Sequence, residues 1–166
     1  MKVVSKQRNS KMCFICGMDN PIGLKAQFYN MEDGSVVCPF RFREEDQSFP
    51  YRVHGGLVTT MLDEMGLRAV WAKYGEDVFG VTMSIESKIR KPVPYNEDLL
   101  CIGIITAETS RTYEIESKII DKNKKVLANA KLTYFKATAA QIVGDGLDPH
   151  EEMCYLIEDA ITDIDV

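Results

Sequence analysis

The chain has no surplus of positive charge: 20 Lys and Arg stand against 25 Asp and Glu, a formal net charge of −5. Nucleic acid is bound chiefly through cations that displace its counterions, so it is not an expected partner. No run of 18 consecutive apolar residues occurs, which gives no membrane-spanning helix. The opening MKVVSKQRNSKMCFICG carries scattered charges and no apolar run of signal-peptide length. A cytoplasmic protein with no membrane partner is therefore expected. Histidines number only two, and no G-x-S-x-G accompanies them, so a serine nucleophile with a histidine base has no footing. The cysteines are five, an odd count, at Cys13, Cys16, Cys38, Cys101 and Cys154, with no secretory context; reduced thiols are expected.

What remains is an ordinary globular composition, 45% hydrophobic and 27% charged over 166 residues, enough for one domain with one core. A polar leader, residues 1–12, precedes NPIGLKAQFYN and SVVCPFRF, two strand-like segments joined by the turn MEDG. Leu24, Ala26 and Phe28 alternate there with polar neighbours. From His54 to about Tyr74 the apolar spacing changes to three and four, with Gly75 as a C-terminal stop, so this is the long helix. Leu57, Met61, Leu62, Met65, Ala69 and Ala72 occupy most of its circumference, as in a central helix.

Four strand-like runs follow: FGVTMSIESKI, LLCIGIITAETS, TYEIESKII and KVLANAKLTYFKA, the last two joined by the turn DKNKK. Tyr113, Ile115, Ser117 and Ile119 alternate with Glu114, Glu116 and Lys118, which predicts an antiparallel sheet with one wet face. The fold class is α+β, a curved antiparallel sheet wrapped around one long helix. Residues 13–140 form the predicted domain, and 141–166 a C-terminal extension. Within the extension, a proline start, early acids and Met153, Ile157 and Ile161 at helical spacing predict a short amphipathic helix.

The segment HGGLVTTMLDE sets two adjacent acids, Asp63 and Glu64, into that central helix. The double glycine, Gly55 and Gly56, permits close approach to the first turn, where free N–H groups and the positive dipole end suit an oxyanion. Asp63 lies seven residues beyond Gly56, roughly 10 Å along a helix axis, too far for both to serve one carbonyl group in one chain. Two helices lying antiparallel about a two-fold axis would bring Asp63 of one chain to Gly56 of the other.

VHGGLVTTMLDEMG resembles the signature of hotdog-fold acyl-CoA thioesterases of the PaaI type, in which HGG is followed, seven residues after the second glycine, by a catalytic acid; Asp63 holds that position. CFICGMDNPIGL, DQSFPYRVHGG with Gln47, and SIESKIRKPVPYNEDLLCIG are similar to further family segments, so the likeness runs from about Cys13 to Phe135. Two positions depart from the pattern: Ser48 stands where many members carry Asn, and Tyr51 where a Gly usually follows the Phe-Pro pair.

The resemblance implies a hotdog fold, a homodimer or dimer of dimers, and metal-free hydrolysis of an acyl-CoA, with no cofactor beyond the coenzyme A of the substrate. Asp63 would activate water or act as nucleophile. The Gly56 amide, with Gly55 alongside, would polarise the thioester carbonyl. Gln47 and Ser48 would approach the substrate, and Arg90 and Lys91 would meet coenzyme A phosphates.

Each of these residues has a plainer alternative. Glu64, beside Asp63, is a further catalytic candidate, yet Asp63 and Glu64 could each pair with Arg68, for Glu64 at i,i+4. His54, which shapes the site in one reading, could simply bond backbone at the helix entry. Arg90 and Lys91 could be strand-end surface charges. Cys13 and Cys16 form a lone C-x-x-C with no two further ligands at comparable spacing, so no metal is expected. An enoyl-CoA hydratase of the same fold would place an Asp and His pair at the helix start, which is missing, and a non-catalytic acyl-CoA binder would not need Asp63.

Overall fold

The long helix and the four strands after it form where the hydrophobic periodicity predicts them. In this computed structural model, which describes residues 1–144 and 148–166, helix α1 spans Gly55–Tyr74. It stops at Gly75, whose φ of +89° lies in the region that favours glycine and whose N–H bonds back to Trp71 O. The strands before it are β1 (Val3–Lys6), β2 (Tyr29–Met31), β3 (Val36–Phe40), β4 (Gln47–Phe49) and β5 (Arg52–Val53). After it come β6 (Phe79–Ile89), β7 (Leu99–Glu108), β8 (Thr112–Asp121) and β9 (Val126–Ala137), then short helices α2 (Ala139–Val143) and α3 (Pro149–Glu152).

The described residues build one antiparallel seven-stranded sheet in the order β1-β2-β3-β7-β8-β9-β6, with β4 and β5 as a separate hairpin. Helix α1 lies against the inner face, packing on β6, β7, β8 and β9. Met61, Leu62, Met65 and Val70 of the helix are fully buried with Phe28, Val36, Cys38, Cys101 and Ile119. Each such large side chain contributes about 1.5–3 kcal/mol by leaving water. This is the hotdog arrangement expected from the sequence. Along β8 the alternation holds: Tyr113, Ile115, Ser117 and Ile119 are buried, whereas Glu116 and Lys118 are exposed.

Three sequence expectations need correction. The polar leader is part of the sheet: β1 pairs with β2, and polar Gln7 and Asn9 are buried because their amides find backbone acceptors, Arg68 O at 2.8 Å for the former and Cys16 O at 2.8 Å for the latter. Of NPIGLKAQFYN only Tyr29 and Asn30 are strand; the stretch before them bonds instead to the C-x-x-C loop, through Leu24 N to Phe14 O and Ala26 N to Ile15 O. The C-terminal helix shrinks to Pro149–Glu152, and the chain beyond it runs back along the N-terminus. Tyr155 and Asn9 exchange backbone bonds there, as do Ile164 and Met1, and Ile164 is buried against Ile102 and Ile120 on the outer face. A spacing of four is also a multiple of two, so Met153 and Ile157 suit an extended chain as well as a helix. Residues 145–147 of the expected extension lie outside the described ones.

Candidate active site

Helix α1 begins at His54, whose Nδ1 accepts the Gly56 N–H at 3.0 Å and so caps the helix. The plain reading of His54 is therefore the observed one. In this conformation the Gly56 amide, which the resemblance assigns to the thioester carbonyl, is engaged by the imidazole. The Gly55 amide has no partner among the described residues.

Beside Gly55 lies a cleft of about 360 Å³ lined by Ser48, Arg52, Ile89, Arg90 and Lys91 among others. Four residues singled out from the sequence, Ser48, Gly55, Arg90 and Lys91, thus meet at one place, and Arg52 adds a cation the sequence did not suggest. Arg90 is oriented by Asn129 Oδ1 at 2.6 Å, and Lys125 beside it pushes the Lys91 ammonium down from the ordinary lysine range. Gln47 stands next to Ser48 on β4 and does not line the cleft. Tyr51 has φ +68° and is 83% exposed, so it takes the left-handed conformation that a glycine would take without strain.

Asp63 faces the other end of β6. Its Oδ1 accepts Thr82 Oγ1 at 2.9 Å and Tyr134 OH at 3.2 Å, and the same phenol donates to Asp63 O at 2.6 Å. No cation pairs with it among the described residues. Burial raises its pKa above the ordinary carboxylate value, the two hydrogen bonds work against that rise, and Glu64 adds to it. Tyr134, itself pushed well up by burial, reaches across the helix at Gly66, where a Cβ would lie 2.1 Å from the ring. Neither Thr82 nor Tyr134 was identified from the sequence. Gly66 was the available signal, since glycine inside a helix costs about 1 kcal/mol and marks a close approach.

Glu64 points away from this site. Arg68 Nε donates to its Oε1 at 2.9 Å, as the i,i+4 pairing predicts. Its Oε2 lies 3.7 Å from Cys13 Sγ, so the fold brings Glu64 to the C-x-x-C. There the Cys13 contact and the Arg68 charge hold the Cys16 thiol down at about 6, while Cys16, burial and Glu64 push Cys13 up.

No family model matches the sequence, and no curated protein matches it. Solved structures do resemble it. A thioesterase superfamily protein superimposes with a TM-score of 0.68 at 22% identity, over 75% of this chain and 63% of that one, so this chain spans less than two thirds of its length. A Streptococcus mutans protein solved with acetyl-CoA matches at TM-score 0.60 and 18% identity, over 68% of this chain and 89% of that one. The E. coli PaaI protein from the phenylacetic acid degradation operon matches at 0.61 and 14%, over 69% of this chain and 80% of that one. This chain has the hotdog fold that these thioesterase-superfamily structures share. Among the described residues no helix is long and apolar enough to cross a membrane.

Proposed function

We propose that the protein is a cytoplasmic acyl-CoA thioesterase that works as a two-fold dimer, alone or within a dimer of dimers. The observation that carries this reading is Asp63: a half-buried carboxylate with raised pKa and no cation partner among the described residues, oriented by Thr82 on the sheet's last strand and by Tyr134. A carboxylate with a raised pKa and hydroxyl donors that orient it suits a general base.

The layout of β6 supports sharing of the site between two chains. This strand is 11 residues long, has only β9 as neighbour among the described residues, and exposes Val81, Met83 and Ile89, an edge that invites pairing. Helix α1 runs alongside it, with Asp63 at Thr82, Thr59 bonded to Ser87 at 2.9 Å, and Gly55 against Ile89. Antiparallel pairing of β6 with its copy would set Thr82 of one chain opposite the region of Ile89 in the other. Asp63 would then approach the partner's Gly55.

In this reading the phosphates of coenzyme A meet Arg52, Arg90 and Lys91, and the thioester carbonyl lies at the partner's helix start. The Gly55 amide polarises the carbonyl, and rotation of His54 releases the Gly56 amide to join it. Asp63 Oδ2, which has no hydrogen bond among the described residues, takes a proton from water as the water oxygen attacks the carbonyl carbon. Collapse of the tetrahedral intermediate expels the coenzyme A thiolate and leaves the free acid. The acetyl-CoA bound to the Streptococcus mutans structure of the same fold supports this ligand class.

The test is thiol release from short, long and aromatic acyl-CoAs by the wild type and Asp63→Asn, corrected for the protein's own thiols. Turnover by the wild type and a loss of about a hundredfold or more in the variant are expected. Coenzyme A binding with no turnover on any member of the panel would replace hydrolysis with the non-catalytic binder.

A further inference from the structure

Independently of the thioesterase reading, we infer that Cys13, Cys16 and Glu64 form a binding site for one zinc ion that ties the N-terminal loop to helix α1. The sulfurs and a carboxylate oxygen lie within 4.8 Å of one another, although Glu64 is 51 residues from Cys13. Tetrahedral zinc, with bonds of ~2.3 Å to sulfur and ~2.0 Å to oxygen, sets sulfur and oxygen ~3.5 Å apart and two sulfurs ~3.8 Å apart. The observed Cys13 Sγ to Glu64 Oε2 separation of 3.7 Å is close to that geometry.

The surroundings also suit bound thiolates. Ile15 N–H points to Cys13 Sγ at 3.3 Å, and Ser10 N–H to Cys16 Sγ at 3.5 Å, with Ser10 Oγ 3.2 Å from the same sulfur. The loop is itself pinned, since Ser10 Oγ accepts Cys13 N–H at 3.1 Å and Gly17 N–H bonds Cys13 O at 2.8 Å. Arg68 holds Glu64 through Oε1 and leaves Oε2 toward the sulfurs, which is how an outer partner orients a ligating carboxylate. A divalent ion would offset the two thiolates it binds, and Arg68 offsets the Glu64 carboxylate. Two thiolates and one carboxylate select a thiophilic ion, zinc over magnesium or calcium. Glu64 keeps 19% of its side chain exposed and Cys13 is half-buried, so the fourth position is open to water. Burial of Cys16, at 1% exposure, argues against a freely exchanging dithiol at this place.

The full chain, stripped with chelator under reducing conditions, would be titrated with zinc against a chromophoric chelator and, separately, with cobalt. One equivalent per chain is expected. Cobalt should give thiolate charge-transfer absorption with the d–d bands of a tetrahedral site, and zinc should protect Cys13 and Cys16, but not the exposed Cys154, from alkylation. Cys13→Ser should abolish tight binding, and Glu64→Gln should weaken it about tenfold or more. The cobalt spectrum and the alkylation map need no variant, so a misfolded variant leaves the proposal testable. No zinc uptake by the reduced chain, uptake that survives Cys13→Ser, cobalt bands without sulfur character, or a Cys13–Cys16 disulfide as the persistent form under thiol reductant would each overturn it.

Discussion

Asp63 and Glu64 are consecutive, yet the two flanks of α1 treat them in opposite ways. On the flank toward β6, Asp63 is offered two hydroxyl donors and, among the described residues, no cation, and burial raises its pKa. On the flank toward the N-terminal loop, Glu64 is tied to an arginine that is itself 1% exposed and stacked 4.1 Å from the centre of the Phe28 ring. One step of 100° around a helix therefore separates a carboxylate that meets two hydroxyls from one that meets an arginine. Residue type did not distinguish them; their neighbours did.

The sharpest way to break this contrast is to neutralise each acid in turn. Asp63→Asn should cost about a hundredfold or more in kcat. It should also raise thermal stability at neutral pH. A carboxylate whose folded pKa lies above its unfolded value is penalised in the folded state once ionised, and that penalty vanishes as pH falls below the unfolded value. Melting curves at neutral pH and near pH 4 would show the gain and then its loss. Glu64→Gln should behave the other way. It leaves a buried guanidinium short of its counter-charge, costing about 3–5 kcal/mol in urea unfolding, with a kcat loss at least tenfold smaller than that of Asp63→Asn. Equal kcat losses in the two variants would refute the division of roles.

Next in size is Tyr134→Phe. A hydrogen bond to an ionised acceptor is worth about 1.5–3 kcal/mol, so kcat should fall roughly tenfold. Both donors stabilise the ionised form of Asp63, and loss of one raises the carboxylate pKa further. The acid limb of the pH–rate profile should therefore move to higher pH. An unmoved limb with reduced kcat would mean that Tyr134 supports the fold and does not tune Asp63.

The sequence made one side of this comparison legible and concealed the other. The spacing of HGG to Asp63 located the acid, and periodicity located α1 and β6 to β9, because both signals are local. Thr82 and Tyr134 reach Asp63 from strands 19 and 71 residues away, a distance no pattern along the chain encodes. The same holds for Glu64, which meets Cys13 across 51 residues of chain. The extended C-terminal segment was misread for a different reason. Its apolar spacing of four is shared by helix and strand, and the N-terminal backbone that pairs with it decided between them.

The basic cleft allows a finer comparison, between binding and chemistry. Arg52→Ala and Arg90→Ala should each raise KM for acyl-CoA severalfold with kcat little changed, and added salt should shrink the difference. A pantetheine thioester, which lacks the nucleotide phosphates, should not distinguish these variants from the wild type. If it does, the two arginines act on something other than phosphate.

The smallest effect is expected at His54, and it bears on the helix start itself. The imidazole caps α1 by accepting the Gly56 N–H, so His54→Ala should cost about 1 kcal/mol of stability, the usual worth of a cap. Its effect on rate depends on which amide meets the carbonyl. With Gly55 as the main donor, kcat should stay within about threefold of wild type, because that amide is free with or without the ring. With Gly56 as the main donor, removing its competitor should raise kcat. A fall of more than about tenfold would mean that the imidazole itself contacts the reacting group, and the site would then rest on three parts: Asp63, the helix amides and His54.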